Sequence, residues 1–420
     1  MVAGTSSRDD PLPAPLTDDA GGAVRVLFRN RDFRHYWSSA ASFGVGIWAY
    51  LTAMGWTALE LTDSSFAVSM VNVVYFLPFF VFAIPGGILA DTVDRRRTAI
   101  WARVACGAAA VVLTVLAALG SLSYPWLLAL SAFVGTTIIA ELASRQAYVA
   151  QIVGPSMVGN AFALTAFQGG ITRVIGPIVA GWAIAAWGDA GGYGFFFATN
   201  LLFLAFFTRI RASGVPAPRE PEPRLRTFTS GFRYLGENQQ AAAVVLMSVL
   251  SGAVGWVYLA MMPIVARDVL GGGAVLAGTL STAVGVGSLP SSVLLSVRSR
   301  TGGEGRLYAL GLGLWAAGII VFGLAGSVAV ALPALFVSGL GFTMNTVLSQ
   351  TLLLKLVEPA FHGRVLGLLT LTWGANIIGT LTAGALAETL GVQTVVVASG
   401  LLIVAVAVAV FGRNRDLLAV

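Results

Sequence analysis

The sequence predicts an all-α polytopic membrane protein, with twelve transmembrane helices in two six-helix pseudo-repeat halves around a central cavity. Three observations predict it. Of 420 residues, 57% are hydrophobic and 10% charged, against about 25% charged in soluble domains, so a soluble core could not absorb the apolar surface. Cutting the chain at charges and Gly/Pro turns leaves twelve apolar stretches, each near the roughly 20 residues a helix needs to cross a bilayer. One long polar stretch, residues 209–240, divides them six and six.

Taken in order, residues 1–22 are rich in Pro, Asp and Gly and read as a disordered cytoplasmic tail. They lack the basic start, short apolar core and cleavage site of a signal peptide. The segment "VRVLFRNRDFRHYW" mixes arginine with Val, Leu and Phe and is expected to lie along the inner membrane surface. The first half, 23–208, carries spans at 37–59, 66–90, 98–120, 125–147, 160–187 and 191–208. Residues 209–240, with their Pro, Arg and Glu, read as a cytoplasmic linker. The second half, 241–412, carries spans at 241–266, 274–297, 306–326, 329–355, 363–389 and 391–412, and 413–420 form a second cytoplasmic tail. Fifty glycines suit helices that approach closely in a membrane.

Charge sets the orientation. Of 25 Lys and Arg, only Arg267, beside Asp268, falls in an odd-numbered outside loop, and Arg173 lies within a span. The positive-inside rule then puts both termini in the cytoplasm. The net charge of +6 is a topology signal and calls for no nucleic-acid partner.

The halves look related. "GPIVAGWAIAAWG" (176–188) aligns without gaps to "GTLTAGALAETLG" (379–391), matching Gly176 to Gly379, Ala180 to Ala383, Gly181 to Gly384 and Gly188 to Gly391. "IPGGILAD" likewise sits over "LPSSVLLS", with Pro85 over Pro290. Duplicated halves around a midplane cavity are a transporter architecture.

Between the second and third spans lies "GGILADTVDRRRTAI" (86–100), five charges among apolar neighbours. It resembles the loop signature of the major facilitator superfamily, Gly-x-Leu-Ala-Asp-x-x-Gly-Arg-Arg/Lys. Gly87, Leu89, Ala90, Asp91, Arg95 and Arg96 match, and Asp94 replaces the second glycine. The resemblance covers essentially the whole chain and implies that this loop helps hold an inner gate shut. Asp91 would sit against the start of the eleventh helix, near Gly363–Leu366, with Arg364 in the same gate. Helix N-termini favour a nearby carboxylate by up to ~2 kcal/mol when partly buried. Arg95 or Arg96 would meet Glu141, which stands four residues before Arg145 on one helix face. The plainer alternatives are that the basic loop only sets topology and that Glu141 and Arg145 form a local pair. The second half lacks the acid, with Ser296 in place of Asp91.

Arg173 lies about 14 residues into span five, where a charge is costly and faces a cavity or a partner. Gly176, Pro177 and Gly181 beside it resemble the Gly-Pro-x-x-x-Gly signature of exporters in the family. Proline frees a carbonyl and glycines admit a neighbour, so a bend is expected. Drug exporters often carry an arginine early in span four; here "LSAFVGTTIIAEL" offers Ser131 before Gly135. The segments "RNRDFRHYW", "ELASRQAYVAQIVG" and "GRVLGLLTLTWGANIIG" instead resemble the enterobactin-exporter-like branch. Gln168, Trp48, Tyr75, Trp256, Asn345, Trp373 and Asn376 join Arg173 as candidate cavity residues, Asn376 aligning with Arg173 through the half-repeat. Against this, each Trp could serve interface or packing and each Asn or Gln an interhelical hydrogen bond. The set suits an amphipathic organic substrate better than an inorganic ion.

Other chemistries find no support. Cys106 is alone, and His35 and His362 are too few for a metal cage. The one lysine, Lys355, lies in "LLLKLV" and no phosphate loop exists. No cofactor and no enzyme activity are expected. The resemblance implies a monomeric, proton-coupled exporter of a drug, siderophore or secondary metabolite in the cytoplasmic membrane of a prokaryotic cell. An importer on the same fold, or a membrane sensor, is the alternative. No mid-membrane acid stands out to carry protons: Glu60, Asp63 and Glu388 are placed near the outer surface and Glu141 near the inner one.

Overall fold

A computed structural model describes residues 20–82, 93–215, 232–297, 302–358, 361–369 and 371–420. The regular structure of these residues is entirely helical. Helix α1 (Ala20–Arg29) is amphipathic, burying Leu27 and exposing Arg25 and Arg29. Asn30 ends it and starts α2 (Arg31–Thr62): its side-chain oxygen accepts the N–H groups of Asp32 and Phe33 at 2.8 and 3.1 Å. Its amide also donates to the Ile152 carbonyl at 3.3 Å, which fixes where the chain enters the bundle. That cap explains why α2 begins at 31, ahead of the apolar run expected from residue 37.

Helix α3 (Ser65–Val81) starts on the Ser64 hydroxyl, and α4 (Arg95–Ala118) on the Asp94 carboxylate, which accepts the Arg97 N–H at 3.0 Å. Asp94 therefore does a capping job where the signature would place glycine. Helix α5 is Tyr124–Val153 and α6 is Val158–Phe207. At about 1.5 Å per residue, α6 would be roughly 75 Å long, too long for one crossing. It makes two, because Trp187 (φ −135°, ψ 18°) and Gly188 (φ 63°, ψ −164°) leave the helical region between them. Pro177 sits inside the first crossing, where the backbone dihedrals stay helical.

In the second half, α7 (Gln239–Gly255) continues in short helical pieces to Val269. Then come α8 (Ala274–Val297), α9 (Glu304–Gly323) and α10 (Val328–Leu356). A short helix, His362–Leu368, leads into α11 (Leu371–Leu390), and α12 (Val392–Arg413) closes the bundle. Among the described residues, eight helical stretches are long and apolar enough to cross a membrane, α6 counting once for two passages, and α3 falls short with 17 described residues. Trp101, Trp182, Ile378 and Val408 are each more than 60% exposed, as a lipid-facing surface requires. This is a multi-pass membrane protein.

The halves pack on each other through α6 against α8 and α3 against α11. Glycine makes the first contact possible: a Cβ on Gly181 would lie 2.7 Å from the Ala274 carbonyl oxygen, and one on Gly278 would collide with the Pro177 carbonyl. Gly181→Ala is therefore expected to lower stability in detergent by about 1–3 kcal/mol, as overpacking does. Gly169→Ala, whose Cβ would meet nothing within 4 Å, should leave it unchanged. Paired thermal melts check both.

Candidate functional site

A narrow cavity lies between the halves, with wall residues from both. Four of the residues expected from sequence share its wall: Trp48 from α2, Arg173 from α6, Trp256 from the end of α7 and Asn376 from α11. Pro177 also lines it, one helical turn beyond Arg173. Arg173 and Asn376, equivalent in the half-repeat, thus reach one cavity from opposite halves.

Arg173 lies over two rings, its guanidinium carbon 4.8 Å from the Trp48 centroid and 5.2 Å from that of Phe342. Its Nε is buried without a hydrogen-bond partner, and among the described residues no carboxylate lies within ion-pair distance of it. Aromatic faces attract a desolvated cation by about 2 kcal/mol or more each, but they bring no counter-charge. The helix is held in place there by close packing. Gly176 admits Trp48 Cβ and the Val45 carbonyl, and Thr282 donates to the Val174 carbonyl at 2.9 Å.

Three other candidates are not in this wall. Gln168 donates to the Trp37 carbonyl at 3.0 Å, tying α6 to α2. Tyr75 is buried among Tyr50, Phe76 and Phe79. Asn345 is buried in α10 where α10 passes Gly311 of α9. These are packing and interhelical roles, the plainer readings of those residue types. The Trp373 side chain lies outside the described residues. Ser131 and Gly135, standing where drug exporters keep an arginine, are packing residues too: Tyr50 donates to the Ser131 hydroxyl at 2.9 Å, and Gly135 lets α5 close on the Tyr75 carbonyl.

The end of the bundle away from the chain termini is closed across the halves. Arg267 pairs with Asp63 at 2.7 Å and with Asp268 at 2.6 Å. The Ser64 hydroxyl and the Phe66 N–H both donate to Glu388, at 2.7 and 2.9 Å. Gly55 faces Pro263, and Gly181 faces the start of α8. Exposed pairs contribute little energy singly, so their meaning is conformational: the far end is shut.

At the termini end, Gly87 and Asp91 lie outside the described residues. Arg96 donates to the carbonyls of Thr208 and Ile210 at 2.7 and 3.0 Å, and Arg95 to that of Ala147 at 3.4 Å. Arg364 lies over the Phe361 ring, which stacks on Tyr234. Glu141 does not meet the loop arginines in this conformation. Its carboxylate is fully buried and taken by Arg103 at 2.9 Å and Arg145 at 2.7 Å. Arg103 also donates to Asn200 at 3.0 Å, while Arg103 and Arg145 both lie over the Phe43 ring. Sequence reasoning passed over Arg103. The signal was available: an arginine nine residues into α4 has to find an acid, and Glu141 is the acid of the neighbouring helix.

A family model described as a transmembrane secretion effector of the MFS type matches residues 26–416. The enterobactin exporter EntS of Shigella boydii serotype 18 is 28% identical over 342 residues, 78% of this chain and 79% of that protein. The same exporter from Escherichia coli matches with equal identity and coverage. Among solved structures, a mutant form of the nucleoside transporter NupG superposes with a TM-score of 0.72 at 16% identity, covering 91% of this chain and 99% of that one. A POT family transporter gives 0.71 at 14% identity, over 94% and 96%. With twelve helical passages, two halves joined around one cavity and a family match along nearly the whole length, the chain belongs to the major facilitator superfamily, in its transmembrane secretion effector family.

Proposed function

We propose that the chain is a secondary active exporter that carries a small, amphipathic organic anion out of a prokaryotic cell by alternating access. It works as a monomer in the cytoplasmic membrane, with the termini end facing the cytoplasm. The observation that supports this most is the cavity: both halves form its wall, the far end is shut, and its charge is one uncompensated arginine over two aromatic rings. An anion with an apolar body would supply the charge Arg173 lacks and bury its own rings against Trp48 and Phe342. The relatives support efflux of a siderophore or similar metabolite. The sequence holds no phosphate loop for ATP, and protons are the proposed coupling ion.

The test is accumulation of dyes, antibiotics and siderophores in cells with and without the protein. Lower accumulation of anionic, aromatic compounds is the expected result; higher accumulation would reverse the direction, and no difference would remove the transport reading. The family resemblance adds one expectation at the inner gate. Asp91→Asn should insert normally yet transport more slowly, because a neutral amide loses the attraction to a helix N-terminus. Wild-type transport by a well-expressed Asp91→Asn protein would dismiss that role.

A further inference from the structure

At the far end, α6 turns back at Trp187–Gly188, and Asp189 stands in that turn, outside the two crossings it joins. Its Oδ1 is buried without a hydrogen-bond partner. From α2, Thr57 and Glu60 both stand beside its carboxyl. From the returning limb of α6, one turn on, comes Tyr193. Tyr193 and Thr57 are both 0% exposed, and their hydroxyls, like Asp189 Oδ1, have no partner. Trp56 Nε1 donates to Glu60 Oε1 at 2.7 Å and holds that carboxyl in place. Arg267, the basic residue of this end, is already paired with Asp63 and Asp268.

Two carboxyls side by side, with buried hydroxyls around them and, among the described residues, no cation paired with them, are short of a proton. Glu60 is exposed, while Asp189 keeps a buried oxygen, so it is the Asp189 carboxyl whose ionised form is disfavoured beside a second negative charge. Burial first, and then the Glu60 charge, push the Asp189 carboxyl up to about 7, against a smaller opposing effect of the Thr57 hydroxyl.

We propose that Asp189 and Glu60 form a proton-binding site which, when loaded from the far side of the membrane, holds the far end of the transporter closed. The inference rests on the exporter reading and deepens it by giving the coupling proton a seat. The step is a protonation alone: the Asp189 carboxylate takes one proton, its new O–H donates to the Glu60 carboxylate, and the pair goes from two negative charges to one. The consequence is mechanical. Here α2 packs tightly on the returning limb of α6, where a Cβ on Gly192 would lie 2.9 Å from that of Ala53. A few residues on, α2 ends at Asp63, which reaches Arg267 across the halves. Loaded, the pair lets α2 rest against α6 and keep that bridge; empty, its two charges push the helices apart. The sign follows. A carboxyl raised to about 7 in the closed conformation, and ordinary once hydrated in an open one, favours closure below pH about 7. That preference is lost as pH rises through about 7. In an exporter this drives the return leg: cargo leaves on the far side, a proton binds there, and the far end shuts.

The test uses the purified full chain without cargo. Infrared difference spectra recorded across pH should show a protonated-carboxyl band that titrates near neutrality. The band should vanish in Asp189→Asn. In Glu60→Gln its midpoint should fall toward the ordinary carboxylate range, because the neighbouring charge is gone; this variant also decides the matter if Asp189→Asn does not fold. Spin labels on Leu61→Cys and Gln393→Cys, in a Cys106→Ala background, read far-end closure. The closed-to-open ratio should fall by up to tenfold per pH unit, the limit for one proton, as pH rises from the ordinary carboxylate range towards about 7, level off above it, and become independent of pH in Asp189→Asn. No carboxyl titrating near neutrality, or an unchanged pH response in Asp189→Asn, overturns the proposal. Neither readout involves cargo, so a failed accumulation assay would remove the exporter reading and leave the proton site standing, and the reverse also holds.

Discussion

Glu141→Ala is expected to cost the protein about 3–5 kcal/mol of stability, the effect of removing one partner from a buried ion pair. The reason is the arrangement of charges. Glu141 is fully buried and answers two arginines, Arg103 at 2.9 Å and Arg145 at 2.7 Å, so its loss leaves two cations facing each other inside the first half. The Phe43 ring beneath both and the Tyr36 hydroxyl near Arg145 could offset only a fraction of that. The measurement is recovery of monodisperse protein in mild detergent and its melting temperature. Arg103→Met/Glu141→Gln should recover part of the loss, because one cation leaves with the anion while Arg145 keeps a hydrogen-bonding partner. A double-mutant cycle that found the two effects simply additive would show that the pair is not coupled.

This network also marks where sequence reading stops. The crossings were legible because apolar length is a one-dimensional property, and the bilayer thickness that sets it is constant. Their ends were less so. Residues 31–36 belong to α2 because Asn30 caps it, and residues 148–153 extend α5 past the apolar run, both in amphipathic sequence. Which way a polar side chain points within a crossing depends on the packing around it. Gln168 and Arg173 are five residues apart on one helix, so they stand roughly 140° apart around its axis. Arg173 reaches the cavity, and Gln168 faces α2. The half-repeat did carry such information, since it placed Asn376 in the position of Arg173, and both line the cavity. The partner of Glu141 required knowing that α4 and α5 pack side by side, which no local pattern states. Asp189 was missed for a similar reason: it is an ordinary turn aspartate until α2 brings Glu60 and Thr57 against it.

The largest effect on transport, as opposed to stability, is expected at Arg173. Arg173→Gln should insert and fold normally yet lose export of an anionic cargo, while Arg173→Lys keeps part of it. Folding should survive because the arginine contributes no ion pair among the described residues, and its Nε is already without a partner. Removing such a charge relieves a buried, uncompensated cation and opens no network. Binding should suffer because a charge-assisted hydrogen bond to an anion contributes about 1.5–3 kcal/mol, which corresponds to roughly ten- to hundredfold in affinity. Lysine keeps the charge and loses the flat guanidinium that lies over Trp48 and Phe342 at 4.8 and 5.2 Å, along with its paired donors. An intermediate rate follows. The competing account makes Arg173 purely structural, a spacer between α2 and α10; on that account both variants lower melting temperature and expression together. Uptake into inverted vesicles, measured beside thermal stability, separates the two. Loss of transport with unchanged melting supports cargo binding, and a neutral analogue of the same cargo should be carried by Arg173→Gln at close to the wild-type rate. If both variants carry the anion as fast as the wild type, or both fail to fold, Arg173 does not bind the cargo.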